Sequence, residues 1–372
     1  TVADLKTPFR YDYVGSFLRP EALKQARKNF EEGKITKEEL TAVEDDCIRD
    51  LVGKIKKLGY HVITDGEFRR STWHLDFMWG FEGVTHEKDG GGVQFNGEMA
   101  DLEATYLVGK VKAKVHPFVE YFKFLKQFED EQTVAKYTIP APAQMYQQMI
   151  VPQNIEQTRK FYATDDELIE DIGKAYQDVI KQFYSAGCRN LQLDDCTWGA
   201  IVGDAAKQRY QSLGVDIEEV KARLLKVNNL ALEGRPEDMV ITSHICRGNY
   251  HSTFFTSGPY DSVADYVFAQ EHVDALLLEY DDARSGGFAP LAKVSPDKKV
   301  VLGLITTKKP ELEDKDKVIA RIHEAEKYIP LERLCLSPQC GFASCEIGNK
   351  ITEEQQWAKL ALVKEIAEEV WK

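Results

Sequence analysis

The sequence predicts an α/β fold, a (β/α)8 TIM barrel with an insertion between strands two and three. Short apolar runs alternate along the chain with longer segments of helical periodicity. Eight such runs occur, and eight parallel strands joined by helical crossovers close into this barrel. The chain has 372 residues, 43% of them hydrophobic, which suits either two ordinary domains or one large barrel with an insertion.

The predicted elements follow one another in the order that the barrel requires. The first half holds a strand, two helices, a second strand, a third strand crowded by prolines, and a long helix with apolar residues at steps of three or four. The second half alternates more regularly and ends on an amphipathic helix. The predicted strands are 9–17, 61–65, 137–140, 190–194, 239–245, 275–279, 300–305 and 333–336. The predicted helices are 21–31, 37–58, 165–185, 217–232, 315–328 and 352–371.

The segment 71–136 interrupts this regular pattern. It is too long for an ordinary connection, and it contains Trp73, His74, Trp79 and a run of glycines at 90–92. We interpret it as an insertion over one mouth of the barrel, with a hairpin around the glycines. Its aromatic residues could line a ligand pocket, but a structural aromatic cluster is favoured. No linker or repeat marks a second domain, so residues 1–372 are expected to form one barrel domain.

The composition argues against several classes of function. A formal net charge of −13 disfavours a generic nucleic-acid binder, which needs clustered lysine and arginine. Seven cysteines at irregular spacing indicate reduced thiols of a cytoplasmic protein rather than a disulfide framework. No apolar run is long enough to cross a bilayer, and no secretory signal is visible. We therefore expect small-molecule partners, no nucleic acid and no membrane, while the oligomeric state stays open.

Four residues with metal-ligand chemistry lie at the predicted ends of strands five, six and eight. His244 and Cys246 are two positions apart on one strand, so their side chains face the same way. Glu279 ends an apolar run, where a buried carboxylate needs a cation, a donor or a metal, and Cys340 follows the last strand. Each residue alone also fits a structural role, such as a salt bridge from Glu279 to Arg284.

Taken together, these four residues indicate a metal site at the barrel mouth. Catalytic groups of (β/α)8 barrels collect at the carboxyl ends of the strands. Two thiolates, one imidazole and one carboxylate can complete a tetrahedral zinc site. Ligands so widely separated along the chain differ from a zinc finger and suit a site that the whole barrel assembles.

Two more carboxylates and one turn are placed to contact a substrate. Glu67 and Asp194 end strands two and four and could bind a substrate ammonium through charge-assisted hydrogen bonds. Pairing with neighbouring arginines is the structural alternative. Gly15 and Ser16, after the first strand, would offer N–H and hydroxyl donors to a carboxylate, or form a simple turn.

The order of these motifs resembles the catalytic C-terminal barrel of cobalamin-independent methionine synthases, and especially the short, single-barrel methionine-synthase-like members. The resemblance covers nearly the whole chain and includes all four metal positions. The matching stretches are Val14-Gly-Ser-Phe17, Asp65-Gly-Glu67, Leu191-Gln-Leu-Asp194, His244-Ile-Cys246, Leu278-Glu279 and Pro338-Gln-Cys-Gly341.

The resemblance implies a zinc thiol-methyltransferase of the 5-methyltetrahydropteroyltriglutamate–homocysteine S-methyltransferase type. It makes His244, Cys246, Glu279 and Cys340 the ligands of Zn²⁺. It also gives the homocysteine contacts: the amino group meets Glu67 and Asp194, and the carboxylate meets Gly15 and Ser16. Zinc would deprotonate a coordinating thiol, whose free pKa of about 8.5 makes it a poor nucleophile near neutral pH.

The sequence departs from the family in the half of the site that serves the methyl donor. The full-length family enzyme has two barrels, and this chain has length for only one. The family also has a histidine acid after strand seven, where Lys308 stands here. A lysine of ordinary pKa, about 10.4, is a weak acid at neutral pH, so Lys308 is only a weak candidate for the catalytic acid.

The leading hypothesis is zinc-dependent methyl transfer to homocysteine to give methionine, with 5-methyltetrahydrofolate as the default donor. A second hypothesis keeps the zinc and the thiol and changes the donor, to methylcobalamin or another methylated small molecule. A metal-free barrel decarboxylase of the uroporphyrinogen type is a third, disfavoured by the complete ligand set. A non-catalytic zinc- or amino-acid-binding barrel is a different class of function, favoured by the missing histidine.

Overall fold

The structure of the protein is a computed structural model that describes residues 5–88, 92–95, 98–247, 249–250, 253–254, 259–282 and 285–372. Parallel strands carry the site, and helices connect them. The strands are β1 (Val62–Ile63), β2 (Glu82–Glu87), β3 (Gly92–Phe95), β4 (Glu98–Asp101), β5 (Ala104–Lys112), β6 (Val134–Ala135), β7 (Tyr137–Pro140), β8 (Asn190–Asp195), β9 (Val240–Ile245), β10 (Asn249–Tyr250), β11 (Thr253–Phe254), β12 (Ala275–Glu279), β13 (Lys299–Ile305) and β14 (Leu334–Pro338).

The helices cover the outside of this sheet and bury one face each. The long helix α7 buries the apolar stripe that its periodicity predicts, from Leu168 to Phe183. The helices are α1 (Glu21–Glu31), α2 (Lys37–Leu58), α3 (Leu75–Met78), α4 (Pro117–Lys126), α5 (Pro142–Ile150), α6 (Pro152–Thr158), α7 (Asp165–Ser185), α8 (Gly203–Ser212), α9 (Ile217–Leu232), α10 (Val267–Gln270), α11 (Lys315–Glu326) and α12 (Glu353–Val370).

The strands that carry the site run parallel to one another and follow chain order across the sheet. Six of them form one sheet in the order β14, β13, β12, β9, β8, β7, with each neighbouring pair parallel. Beyond β7, the short β6 pairs in parallel with β1. On the other edge, Tyr11 forms a parallel bridge with Leu336 of β14. The arrangement is that of a (β/α)8 TIM barrel, as the sequence predicts.

The first predicted strand is wrong in its extent. Only Tyr11 within 9–17 has strand pairing among the described residues. The Asp12 carboxylate accepts hydrogen bonds from the backbone N–H groups of Phe9 and Tyr13, at 3.0 and 2.8 Å. These N–H groups are satisfied locally and do not join a ladder. The gap toward β1 is spanned instead by the Tyr13 hydroxyl, which donates to the Val62 carbonyl at 2.6 Å.

Several helices that the sequence pattern missed lie near the site. Helices α5 and α6 follow β7 directly, and α8 follows a short 3-10 turn after β8. Both α5 and α6 begin with a proline at the first helical position, which is a recognised start signal. The prolines near residue 140 therefore mark helix starts as well as a strand end.

The segment 71–136 contains two antiparallel strand pairs. β2 pairs with β5, and β3 pairs with β4 between them, as in a long hairpin. Gly90 and Gly91, where the sequence predicts the turn, lie outside the described residues, as does Arg284. Trp79 stacks on His86 with ring centroids 3.8 Å apart, which confirms a structural role for this tryptophan. In the part of the chain that is described, no helix is long and apolar enough to cross a bilayer.

Candidate metal and substrate site

A cavity of about 310 Å³ lies where the parallel strands end. Such a position is where (β/α)8 barrels assemble their active sites. Gly15, Glu279 and Lys308 are not among the described residues of its wall. The sequence-predicted site residues that line it are Ser16, Glu67, Asp194, His244, Cys246 and Cys340.

Three of these residues form a compact group that could hold a metal ion. The ligand atoms of His244, Cys246 and Cys340 all lie within 4.8 Å of one another, and all three residues are buried. The two sulfur atoms are 3.9 Å apart. Two sulfurs bound at about 2.3 Å to one tetrahedral zinc lie about 3.8 Å apart, so the spacing of the thiols fits this metal.

The electrostatics of this group also suit a cation. The hydrogen bond between Cys340 and Cys246, together with burial, raises the pKa of the Cys340 thiol well above its usual value. Burial lowers the pKa of His244, but the Asp194 side chain and the charge of Cys246 outweigh it and raise the pKa to about 9. Buried thiols of this kind lose their protons when a metal supplies the compensating positive charge.

Neighbouring groups hold the His244 ring in place. Its Nε2 donates to the Gln339 carbonyl at 3.1 Å, and its Nδ1 lies 3.7 Å from Asp194 Oδ1. Gln339 immediately precedes Cys340, so this contact ties β9 to the loop after β14. Outer partners of this kind fix the orientation of metal-binding imidazoles.

Glu279, the fourth predicted ligand, lies outside the three-residue group. Its side chain is fully buried at the end of β12, and Oε1 accepts a hydrogen bond from the Arg247 backbone N–H at 3.2 Å. Its charge still acts on both His244 and Cys340, raising the pKa of each. The structure therefore places Glu279 close to the group without bringing it into the same cluster of ligand atoms.

Glu67 is the most unusual carboxylate of the cavity. It has a φ of +64°, a left-handed conformation that is rare for residues other than glycine. Its Oε2 accepts from the Thr138 hydroxyl at 3.0 Å and lies 3.6 Å from Arg70. Its Oε1 is buried with no hydrogen-bond partner among the described residues. A buried orphan acceptor in a strained backbone is a strong indication of a ligand contact.

The pKa of Glu67 reflects this environment. Burial raises it, the Arg70 guanidinium lowers it, and the charge of Asp194 raises it again, to about 7. The two carboxylates thus face one cavity and disfavour each other's charge. A substrate ammonium between them would relieve that repulsion.

Asp194 and Ser16 complete the predicted substrate contacts. Asp194 Oδ1 accepts from the Gln192 side chain at 2.8 Å, which fixes the carboxylate at the end of β8. The Ser16 hydroxyl accepts from the Ala343 N–H at 3.2 Å and keeps its own hydrogen available for an anionic ligand group. Gly15 is near this point, and its carbonyl accepts from the Thr64 hydroxyl at 2.7 Å.

Lys308 has a partner that the sequence did not reveal. Its Nζ is 2.5 Å from Asp281 Oδ2, and both side chains are buried. Since the two residues follow different strands and are far apart in sequence, no local pattern links them. Lys308, which stands where the family has its histidine acid, is therefore engaged in an ion pair with Asp281.

Other residues of the cavity wall were missed at the sequence level. Cys196, just after β8, approaches Cys246 closely enough that their hydrogen bond, followed by burial, raises the pKa of Cys196 well above its usual value. Three glutamines of α5 also line the cavity: Gln144, Gln147 and Gln148. Their i, i+3, i+4 spacing is a polar helical stripe, a signal that was available in the sequence.

Comparisons with known proteins agree with this geometry. The family model described as the catalytic domain of cobalamin-independent synthase matches residues 11–368. A structure from Listeria monocytogenes, assigned as a vitamin-B12-independent methionine synthase, is 36% identical with a TM-score of 0.79, covering 99% of this chain and all of that one. The chain therefore belongs to the cobalamin-independent methionine synthase family.

Three further proteins are similar to this chain over nearly its whole length. The uncharacterized protein YxjH of Bacillus subtilis is 44% identical over 99% of this chain and 96% of its own length. The methionine synthase of Saccharolobus solfataricus is 24% identical over 96% of this chain and 94% of its own. A B12-independent methionine synthase from a Shewanella species, solved with selenomethionine, has the same fold, with a TM-score of 0.71 at 19% identity, covering 98% of each chain.

Proposed function

We propose that this protein is a zinc-dependent methyltransferase that moves a methyl group from a methyl donor to the thiol of homocysteine, giving methionine. The observation that carries the proposal is a buried histidine and two cysteines of zinc-like spacing, which share a cavity with Glu67 and Asp194. Membership of the methionine synthase family supports methyl transfer as the reaction.

His244, Cys246 and Cys340 would hold the metal, with Glu279 as the nearest carboxylate for a fourth position. A zinc ion bound there would supply the positive charge that keeps a substrate thiol deprotonated near neutral pH. The cavity wall would place a substrate thiol beside the cluster and hold it for attack, which would remove much of the entropic cost of a bimolecular reaction.

The chain's own polar groups would orient the amino acid. Glu67 Oε1 and the Asp194 carboxylate would accept hydrogen bonds from its ammonium group. The Ser16 hydroxyl would donate to its carboxylate, with Gly15 contributing a backbone N–H. These contacts fix both ends of the amino acid and direct its side chain toward the cysteines.

The methyl donor is the less determined half of the reaction. The default donor is 5-methyltetrahydrofolate, whose tertiary amine must be protonated to leave. Lys308 is the candidate acid, and its ammonium is engaged in a buried ion pair with Asp281. This observation favours the second hypothesis, in which zinc and thiol are kept and the donor differs.

Calorimetry of homocysteine binding to the zinc-loaded protein tests the acceptor half. In buffers of different ionisation enthalpy, homocysteine should release about one proton more per chain than homoserine does near pH 7, because a metal-coordinated thiol is deprotonated. Homoserine, which has a hydroxyl in place of the thiol, is the matched control; it should bind more weakly and release only what Glu67 loses, since the pKa of this carboxyl is raised to about 7. Equal binding and equal proton release by the two would sink the proposal.

A further inference from the structure

The cavity that holds Glu67 and Asp194 also has aromatic and amide side chains in its wall. The aromatic residues among them are Trp73, His74 and Tyr210. Among the described lining residues there is no lysine or arginine. Aromatic ring faces in a wall without fixed positive charge are surroundings that a methylated cation prefers.

The Trp73–His74 pair forms the aromatic part of this wall. The rings are stacked with centroids 4.5 Å apart, and both side chains are partly buried. Burial lowers the pKa of His74 to about 3, so the imidazole is neutral near pH 7 and does not repel a cation. The Tyr210 ring already has a cation beside it, since Arg209 lies 5.4 Å from its centroid. Trp73 is therefore the ring that a ligand cation would contact.

The chemistry of the leaving group also favours a methylated cation as the donor. A tertiary amine needs a proton from an acid, and the lysine in the acid position is held by Asp281 in a buried ion pair. A sulfonium or quaternary ammonium donor needs none, because its leaving group departs as a neutral thioether or amine. The cavity volume of about 310 Å³ is near the lower end of ligand cavities, about 300–1,000 Å³, which suits two small molecules.

We infer that the methyl donor of this enzyme is a small onium compound, a sulfonium or quaternary ammonium, bound against Trp73. This inference rests on the proposed transfer to homocysteine and specifies its donor. The thiolate sulfur of homocysteine attacks the methyl carbon, a new C–S bond forms, and the C–S⁺ or C–N⁺ bond breaks with its electron pair going to the leaving atom. The positive charge of the donor and the negative charge of the thiolate are both lost, and the thiol proton has gone to solvent.

Isotope transfer with the full-length zinc-loaded protein tests the inference. The donors are trimethylsulfonium, S-methylmethionine and choline, each with deuterated methyl groups, compared with 5-methyltetrahydrofolate and methylcobalamin. Mass spectrometry of methionine should show label from at least one onium above reactions lacking protein or zinc. The sulfonium and choline arms distinguish the two kinds of onium.

The result that overturns the inference is absence of label from every onium, whatever the other donors do. Label from 5-methyltetrahydrofolate or methylcobalamin alone would keep the proposed function and reject the onium donor. Failure of homocysteine to bind with proton release would reject the proposed function itself.

Variants of Trp73 test the binding site separately. Trp73→Leu should lower kcat/KM for the active onium about ten-fold or more, as loss of a desolvated cation–π contact implies. Trp73→Phe, which keeps a ring face, should lose much less, and Trp371→Leu, far from the cavity, should lose nothing. Equal losses in the leucine variants, or an unchanged rate in Trp73→Leu, would contradict binding on this ring. Homocysteine affinity should not change, which separates donor binding from misfolding.

Discussion

At the scale of single residues, Glu67 combines a strained backbone with an unsatisfied oxygen. A left-handed conformation costs a non-glycine residue about 1–3 kcal/mol, which the surrounding contacts must offset. Arg19 supplies part of that support, because its guanidinium donates to the Glu67 carbonyl at 2.8 Å from a buried position. The same geometry leaves Oε1 without a hydrogen-bond partner in the described part of the chain. The strain is therefore best explained by a ligand contact.

We expect the affinity for methionine, a product without an ionisable thiol, to rise with pH. Burial and the charge of Asp194 raise the pKa of Glu67 to about 7, so the carboxylate is protonated below this pH and charged above it. Affinity should increase about ten-fold from pH 6 to pH 8, as measured by calorimetry. Glu67→Gln should bind weakly and lose this rise, whereas Glu120→Gln on exposed α4 should keep it. The same rise in Glu67→Gln would assign the pH dependence to another group.

Cys340→Ser should remove most bound zinc, because serine is a far poorer zinc ligand than a thiolate. Metal analysis of the purified variant should fall from about one zinc per chain to a small fraction of that. Cys47→Ser is the matched control, since Cys47 lies on α2, away from the cavity. Retention of stoichiometric zinc by Cys340→Ser would remove Cys340 from the metal site.

Sequence reasoning went furthest for these residues. His244 and Cys246 could be placed on one face because the side chains of a strand alternate with a period of two. Cys340 could be placed at the same mouth of the barrel because it follows the last predicted strand. The ion pair between Lys308 and Asp281 could not be predicted from the sequence, because the two residues lie in loops that follow different strands. The approach of Cys196 to Cys246 was missed for the same reason, as it depends on how neighbouring strand ends meet.

At the scale of elements, close packing of β13 between β12 and β14 sets the spacing of the site. Gly303 has no room for a side chain: an added Cβ would lie 2.5 Å from the Leu278 carbonyl oxygen and 2.6 Å from Gln339 Cα. Leu278 precedes Glu279, and Gln339 precedes Cys340. Gly303 thus lets β12, which carries Glu279, and the segment after β14, which carries Cys340, lie close to β13.

Gly303→Ala should destabilise the fold and weaken zinc binding together. Overpacking of this kind costs about 1–3 kcal/mol and must displace Leu278 or Gln339. Gly53→Ala is the control: it lies inside α2 with open space around it and should stabilise by about 0.5–1 kcal/mol. Urea unfolding and zinc titration of both variants give the comparison, and an unchanged zinc affinity in Gly303→Ala would refute the coupling.

The segment 71–136 is the element whose role the sequence left most open. We propose that it is an insertion over the barrel mouth, within one barrel domain covering 1–372. Trp73, His74 and Leu102 from this segment line the cavity. It is also tied to α5 and α6, since Gln148 and Asn154 both donate to the Thr105 carbonyl, at 3.2 and 2.8 Å. The sequence predicts a hairpin around the glycines, and it allows Trp73 and His74 to line a ligand pocket, where the structure has them.

At the scale of the whole molecule, a buried polar cluster behind the cavity links stability to pH. The Asn228 side chain donates to Asp195 at 3.1 Å and to Glu271 at 2.6 Å. Burial, together with the charge of Asp195, raises the pKa of Glu271 to about 8, from an ordinary 4.5. The folded protein therefore holds this proton more tightly than the unfolded chain does.

The contribution of Glu271 to stability is present in full below about pH 4.5 and is lost as the pH rises toward 8. Glu271→Gln mimics the protonated form, so its free energy of unfolding should fall less between pH 5 and pH 8. The difference from the wild type should be on the order of 2 kcal/mol by urea unfolding. Glu120→Gln should follow the wild type, and parallel pH curves for Glu271→Gln and the wild type would contradict the buried proton.

The overall fold was predictable because eight apolar runs and their helices leave few alternatives to a barrel. The second half, from β8 onward, follows the predicted boundaries closely, since its strands are buried and its helices amphipathic. The first half was harder: the Asp12 carboxylate interrupts the first strand, and β1 is shortened to Val62–Ile63. In the first predicted strand and around β1, side-chain and loop contacts take the place of the backbone hydrogen bonds between strands that the periodicity predicts.

The central claim is that a zinc ion at this cavity activates a substrate thiol. The most direct test is metal analysis of the protein, purified without chelators, with X-ray absorption at the zinc edge in the presence and absence of homocysteine. The account predicts about one zinc per chain, bound by sulfur and nitrogen, that gains a sulfur ligand when homocysteine is added. Protein that contains no zinc and takes up none when it is supplied would contradict the account.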